Sequence, residues 1–172
     1  GIFYGDPGLI FEHLHGKEIS YNNLLDIDAA ITLIDEFEEI TCAIMKHNNA
    51  CGVASRHDLK SAWESALACD PVSAYGGVAI TNRVIDEPVA TEMDKIFLEI
   101  VMAPDFTAGA LEILKQKKNR IILRRKSTHA DSVSFRSMLG GVLWQERDRV
   151  NETAADMKPV TERHPTDEEY KD

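Results

Sequence analysis

The residue types best suited to chemistry stand together at Lys46-His47-Asn48-Asn49, where the apolar run ITCAIM (40–45) ends abruptly. An imidazole takes up a proton near neutral pH, and an adjacent ammonium disfavours its charged form, which favours His47 as a neutral base. Lys46 can stabilise negative charge developing on an oxygen, and the amide of Asn48 or Asn49 can donate to the same atom. The combination suits removal of a proton from a nucleophile while a carbonyl is polarised. The plain alternative, which spacing alone leaves open, is a Lys-His pair at the wet end of a strand.

Successive side chains on a strand face opposite ways, so Lys46 and His47 serve one site only if the backbone leaves extended geometry there. Gly52, able to adopt positive φ, offers such a departure. Ligands in open parallel sheets gather beyond the carboxyl ends of strands, and the tetrad is expected there, turning toward the next helix. A second cluster, Asp70-Pro-Val-Ser-Ala-Tyr-Gly-Gly77, separates a helical stretch from a strand. Its glycines, Gly76 and Gly77, let a ligand approach the backbone, and Tyr75 can stack on a planar ring. Most Gly-Gly pairs, however, are simply turns.

Metal chemistry finds little support. His47 and Cys51 form H-x3-C, but no C-x-x-C occurs, so the H-x-E with P-C-x-x-C ligand set of zinc deaminases is missing. His13-Leu14-His15 reads as a strand or loop feature and Cys42 as a small core residue. There is no G-x-x-x-x-G-K phosphate loop and no G-x-S-x-G elbow. No metal site is expected. Three cysteines without paired spacing give no disulfide framework and fit a reducing, cytoplasmic setting.

The elements that must position these groups alternate between residues 26 and 124. Ala30, Leu33, Ile34 and Phe37 recur at helical spacing behind Asp26 or Asp28 as N-caps, and ITCAIM follows as a strand. Asp58 caps a helix with Leu59, Ala62, Trp63, Ala66 and Leu67 on one face, and GVAIT (77–81) is the next strand. Asp86 and Pro88 open a helix striped by Val89, Met93, Ile96 and Phe97, before LEIVMA (98–103). Thr107 caps a further helix that buries Leu111 and Leu114, and RIILR (120–124) is the last strand of the series. This alternation implies an α/β layer domain, a largely parallel or mixed sheet with helices on both faces. Beyond residue 125, SFRSML and VLWQE flank Gly140-Gly141 and form a C-terminal hairpin. Thr166 to Glu169 has capping-box spacing with almost no chain left to form a helix, which reads as a piece of a longer protein.

A length of 172 residues suffices for one domain, expected over 1–172. With 44% apolar and 28% charged residues and no apolar run of about 20, the composition is that of a soluble globular chain and not of a membrane span. The formal net charge of −10 repels a phosphate backbone. The one dense basic stretch, KQKKNRIILRRK (115–126), lacks interleaved aromatics, so no nucleic-acid partner is expected, although an anionic small molecule remains compatible.

The segments GKEISYNNLLDIDAA (16–30), KHNNACGVA (46–54), DPVSAYGG (70–77) and IVMAP (100–104) resemble, in order and spacing, the transformylase part of the bifunctional purine-biosynthesis family. That family joins aminoimidazole carboxamide ribonucleotide (AICAR) transformylase to inosine monophosphate (IMP) cyclohydrolase. The resemblance extends to GGVLWQERD and VTERHPTDEE and covers nearly the whole chain. It implies that 10-formyltetrahydrofolate donates a formyl group to the 5-amino group of AICAR, with His47 as general base and Lys46 as its electrostatic partner. It further implies that Tyr75 lines the base, that the backbone of Gly76 contacts the nucleotide and that Glu99 contacts it as an acidic residue. The implied fold is the first of two cytidine-deaminase-like units, and active members are homodimers with shared sites. Ala50 stands where proline is frequent and Tyr75 where phenylalanine is usual. The family's upstream Arg-Tyr-Gly-x-Asn-Pro-His-Gln stretch, its cyclohydrolase domain and its second transformylase unit do not occur, so the piece alone is expected to be catalytically silent. Two other classes stay open: a non-catalytic nucleotide-binding or dimerisation module, and a deaminase-type zinc hydrolase.

Overall fold

The computed structural model describes residues 5–126, 132–148 and 156–170. Two compact units emerge, Gly1–Ala130 and Asp131–Asp172, where the sequence reading expects one domain. The first contains β1 (Phe11–His15), α1 (Tyr21–Ile34), β2 (Thr41–Lys46), β3 (Asn49–Ser55), α2 (Leu59–Cys69) and β4 (Val78–Thr81). It continues with α3 (Glu87–Asp94), β5 (Ile100–Ala103), α4 (Ala108–Leu114) and β6 (Ile121–Arg125).

Six strands form one sheet in the order β1-β6-β5-β4-β2-β3. β4, β5 and β6 run parallel, whereas β1 on β6, β2 on β4 and β3 on β2 are antiparallel. The sheet is therefore mixed, with a parallel centre and antiparallel flanks. Period-two alternation splits its apolar residues between two faces. Ala43, Met45, Val78, Ile80, Ile100, Met102, Ile121 and Leu123 pack with Ile27, Ala30, Ile31 and Ile34 of α1. Cys42, Ile44, Ala79, Val101, Ala103 and Ile122 pack on the other face with α2, α3 and α4, around the buried Trp63. Helices thus cover both faces, as the pattern implies.

Helix starts follow local chemistry. Asp58, Asp86 and Thr107 each accept the N–H three residues on, as their sequence positions predict. The start of α1 differs from expectation: Ser20, not Asp26 or Asp28, is its N-cap, in a capping box with Asn23. The exposed Tyr21 and Asn22 in the first turn break the apolar stripe and hide this start. A cap is worth about 1 kcal/mol. Burial of each large aliphatic side chain on α1 is worth about 1.5–3 kcal/mol, so packing, not capping, holds the helix to the sheet. Among the described residues no helix is long and apolar enough to cross a membrane.

In the second unit, β7 (Val133–Met138) and β8 (Gly141–Glu146) pair as the expected hairpin around Leu139 and Gly140. Thr166 and Glu169 complete their reciprocal capping bonds, but these close a turn and not a helix. The Arg163 guanidinium on the Glu169 carboxylate brings its pKa down to about 2.

Candidate functional site

β2 does not lead into a helix. It turns straight back into β3 through His47 and Asn48, both left-handed, with φ of 53° and 63°. Two consecutive left-handed residues match the twist of antiparallel strands; the geometry favours Asn and Gly, and His and Asn adopt it more readily than most other side chains. The departure from extended geometry thus occurs at His47 itself and not at Gly52. Gly52 lies within β3 for another reason: a Cβ there would meet the Ala66 carbonyl oxygen at 1.9 Å, so only glycine lets β3 approach α2 this closely.

Helix α1 supports the turn. The Asn48 backbone N–H donates to Asp26 Oδ1 at 2.8 Å. The Asn48 amide nitrogen, turned toward α1, reaches Leu25 O at 3.2 Å and Asp26 Oδ1 at 3.1 Å. Asn49 Nδ2 donates to His47 O at 3.0 Å. Asp26 is therefore a brace for the hairpin and not a cap. His47 is exposed at the tip, and Lys46 is half-buried at its base.

Lys46 Nζ donates to the Tyr75 carbonyl at 2.9 Å, joining the first cluster to the second. The 70–77 turn begins with Asp70, whose carboxylate accepts from the Ser73 hydroxyl and N–H; these bonds hold it below the usual carboxylate range. Tyr75 is exposed and lies 5.4 Å from Phe97, ring centroid to centroid, at a 50° tilt. Gly76, with φ of 75°, donates to Phe97 O at 2.7 Å. Glu99 N donates to Gly77 O at 3.0 Å, and the Glu99 carboxylate forms an ion pair with Lys17.

Sheet register explains the gathering. Met45 pairs with Val78, Val78 with Ile100, Ile100 with Ile121, and His15 with Ile122. The carboxyl ends of β1 and β2 therefore meet the amino ends of β4, β5 and β6, and Lys46, Tyr75, Gly76, Glu99 and Lys17 share that edge. This corrects the expected location beyond the carboxyl ends of parallel strands. At that opposite end lies a cleft of about 560 Å³, lined by Asp35, Glu38, Asn82, Arg83, Arg125 and Lys126 among others. Its polar groups are engaged in holding the fold: Arg125 pairs with Asp35 at 2.6 Å, Arg83 donates to Glu38 O, and Asn82 bridges to Thr41, Phe37 and Glu39.

His13 and His15 lie on β1, the strand feature expected of them, with the His13 ring hydrogen-bonded to His15 O. Among the described residues no three His, Cys, Asp or Glu side chains converge as a metal site. Burial raises the Cys42 thiol to about 12, and burial with the Asp70 charge raises Cys51. Sequence reasoning passed over Lys17, Asp26 and Phe97. Ile96 and Phe97, expected on the α3 stripe, lie beyond the helix, which ends at Asp94 and so frees the Phe97 ring to meet Tyr75; Lys17 needed the β1–β6 register.

A family model described as the AICARFT/IMPCHase bienzyme matches residues 3–172. The protein from Bacteroides thetaiotaomicron named "Bifunctional purine biosynthesis protein PurH" is 58% identical over 172 residues, 100% of this chain and 34% of that protein. Proteins of the same name are 46% identical over 170 residues in Clostridium acetobutylicum (98% of this chain, 34% of that protein) and 49% over 171 in Chloroflexus aurantiacus (96% and 33%). The chain thus spans about a third of the length of these curated relatives. With the match running from residue 3 to the end of the sequence, the chain belongs to the AICARFT/IMPCHase bienzyme family.

Proposed function

We propose that this chain supplies part of the formyl-transfer site of a bifunctional purine-biosynthesis enzyme, as the first cytidine-deaminase-like unit of its transformylase. The substrates are AICAR and 10-formyltetrahydrofolate, and the setting is cytoplasmic. The observation that carries this reading is the convergence of Lys46, Tyr75, Gly76 and Glu99, from three separate sequence segments, on one edge of the sheet. An amine conjugated into an aromatic ring attacks an amide-like formyl carbon poorly, so the reaction requires proton removal, oxyanion stabilisation and alignment.

His47, exposed on a braced turn, removes the amine proton as the amine nitrogen bonds to the formyl carbon; collapse of the tetrahedral adduct then breaks the bond to N10 of the folate, which takes up a proton and leaves as tetrahydrofolate. Lys46 uses one ammonium N–H on Tyr75 O, and its others serve the developing oxyanion. Asn48 keeps the turn in shape, and Asn49, with one amide N–H on His47 O, offers its second to a substrate oxygen. Tyr75 lines the base, the Gly76 backbone borders the nucleotide and Glu99 contacts it. The rest of the folate site comes from polypeptide beyond this chain and from a second subunit of a homodimer, so the chain by itself is inactive.

The test is His47→Ala in a polypeptide of the relatives' full length, assayed for both formyl transfer and IMP cyclisation. Loss of the first with retention of the second is expected. Undiminished formyl transfer removes His47 from the chemistry and favours a module that binds nucleotide or dimerises without catalysing.

A further inference from the structure

Arg120, just ahead of β6, is 0% exposed, an unusual place for a guanidinium. Its Nη1 donates to Asp94 Oδ1 at 2.7 Å and to Leu114 O at 3.3 Å, and its Nη2 to Ile96 O at 3.4 Å. Asp94 and Leu114 are the last residues of α3 and α4. The guanidinium thus sits on the negative ends of two helices and on the short connection that carries Phe97 and Glu99. The backbone of the same residue reaches the other half of the site. Gly16 has φ of 102°, and a Cβ on it would lie 2.1 Å from Arg120 O, so the chain runs flush against Arg120 before presenting Lys17 to Glu99.

We propose that Arg120 is a positioning residue of the candidate site, fixing from within the segment that presents Phe97 to Tyr75 and Glu99 to Lys17. Stability alone explains it poorly. A buried ion pair is often no better for folding than an apolar residue of similar volume, and Met would fill this space. What Met cannot do is hold the Ile96 carbonyl and the Asp94 carboxylate at fixed distances. Among the described residues Arg120 Nε has no hydrogen-bond partner, a desolvation cost of the kind retained where geometry matters. The proposal rests on the formyl-transfer reading in taking AICAR as the ligand of this edge.

The experiment uses the full-length polypeptide with Arg120→Met, Arg120→Lys, Glu99→Gln, Tyr75→Ala and the Arg120→Met/Glu99→Gln pair. AICAR affinity is measured by calorimetry, KM and kcat by formyl-transfer assay, and folding by thermal unfolding. Arg120→Met is expected to weaken AICAR binding and raise its KM by at least about tenfold, within the range that small misplacements produce. Arg120→Lys is expected to recover part of that loss. The double variant is expected to be little worse than Arg120→Met alone, because both act through one segment. A folded Arg120→Met protein that binds AICAR like the parent overturns the proposal, as does full additivity in the double variant. If Arg120→Met does not fold, Arg120→Lys and Asp94→Asn carry the test, and parental affinity in both overturns it. Parental affinity in Glu99→Gln and Tyr75→Ala overturns the nucleotide reading of the edge and this proposal with it, whereas parental affinity in the Arg120 variants alone overturns only the proposal.

Discussion

The β2–β3 and β7–β8 hairpins both close through two left-handed residues, His47 (φ 53°) and Asn48 (63°) in one, Leu139 (51°) and Gly140 (76°) in the other. Each places a non-glycine residue where L-amino acids are disfavoured by about 1–2 kcal/mol. Their surroundings differ. The first turn closes strands whose residues 41–45 are buried, and it is tied to α1 through Asp26 and to the 70–77 turn through Lys46. The second closes strands whose residues Phe135, Val142 and Trp144 are exposed, and an added Cβ at Gly140 would meet nothing within 4 Å. Strain alone therefore does not mark a site. What distinguishes the first turn is that the strained residue bears an imidazole and that separate elements fix its position.

The largest contrast should come from removing side chain and strain together. In the full-length polypeptide, His47→Gly should lower the formyl-transfer rate by about 10²–10⁴-fold, the range of general-base contributions, without lowering the thermal midpoint. Leu139→Gly, which relieves the same strain in the other hairpin, should leave the rate unchanged. Equal kinetic effects at the two positions would abolish the distinction. Next in size, Gly52→Ala drives a methyl into the Ala66 carbonyl and should cost about 2–3 kcal/mol in denaturant unfolding. Gly140→Ala meets only left-handed strain and should cost about 1 kcal/mol; equal losses would mean that β3 can withdraw from α2.

Thiol alkylation is a gentler probe of the same packing. In the native protein at pH 8, exposed Cys69 should react first and Cys51 slowly, since burial and Asp70 raise its pKa. Cys42, raised to about 12 by burial, should resist until unfolding. Modification of Cys42 at the rate of Cys69 would show β2 opening freely. The smallest effect is acid loosening of the 70–77 turn. The folded pKa of Asp70 lies below its ordinary value of 3.8, so its contribution is complete above that value and is lost as pH falls through the lower folded one. The Ser73 amide resonance should titrate below 3.8; a midpoint above it would contradict the bond.

Legibility in the sequence followed range. Caps at Asp58, Asp86 and Thr107 and the Gly140 hairpin depend on side chains within three residues, and all were readable. The return of the chain at His47-Asn48 was not, because this turn uses no glycine and β3 (NACGVAS) lacks a run of strong strand formers. Missing that return also misplaced the site, since only an antiparallel β2 brings Lys46 to the amino ends of β4, β5 and β6. The sequence offers Asp26 only as a cap, because its reach across to Asn48 N is a tertiary contact 22 residues away. Likewise, pairing Lys17 with Glu99 requires the β1–β6 and β5–β6 registers together.

A crystal structure of the full-length polypeptide with AICAR bound tests the central claim most directly. The base is expected beside Tyr75 and His47 with Glu99 in hydrogen-bond range, at the amino ends of β4, β5 and β6. AICAR seated instead in the opposite cleft, against Asn82, Arg83 and Lys126, would contradict it.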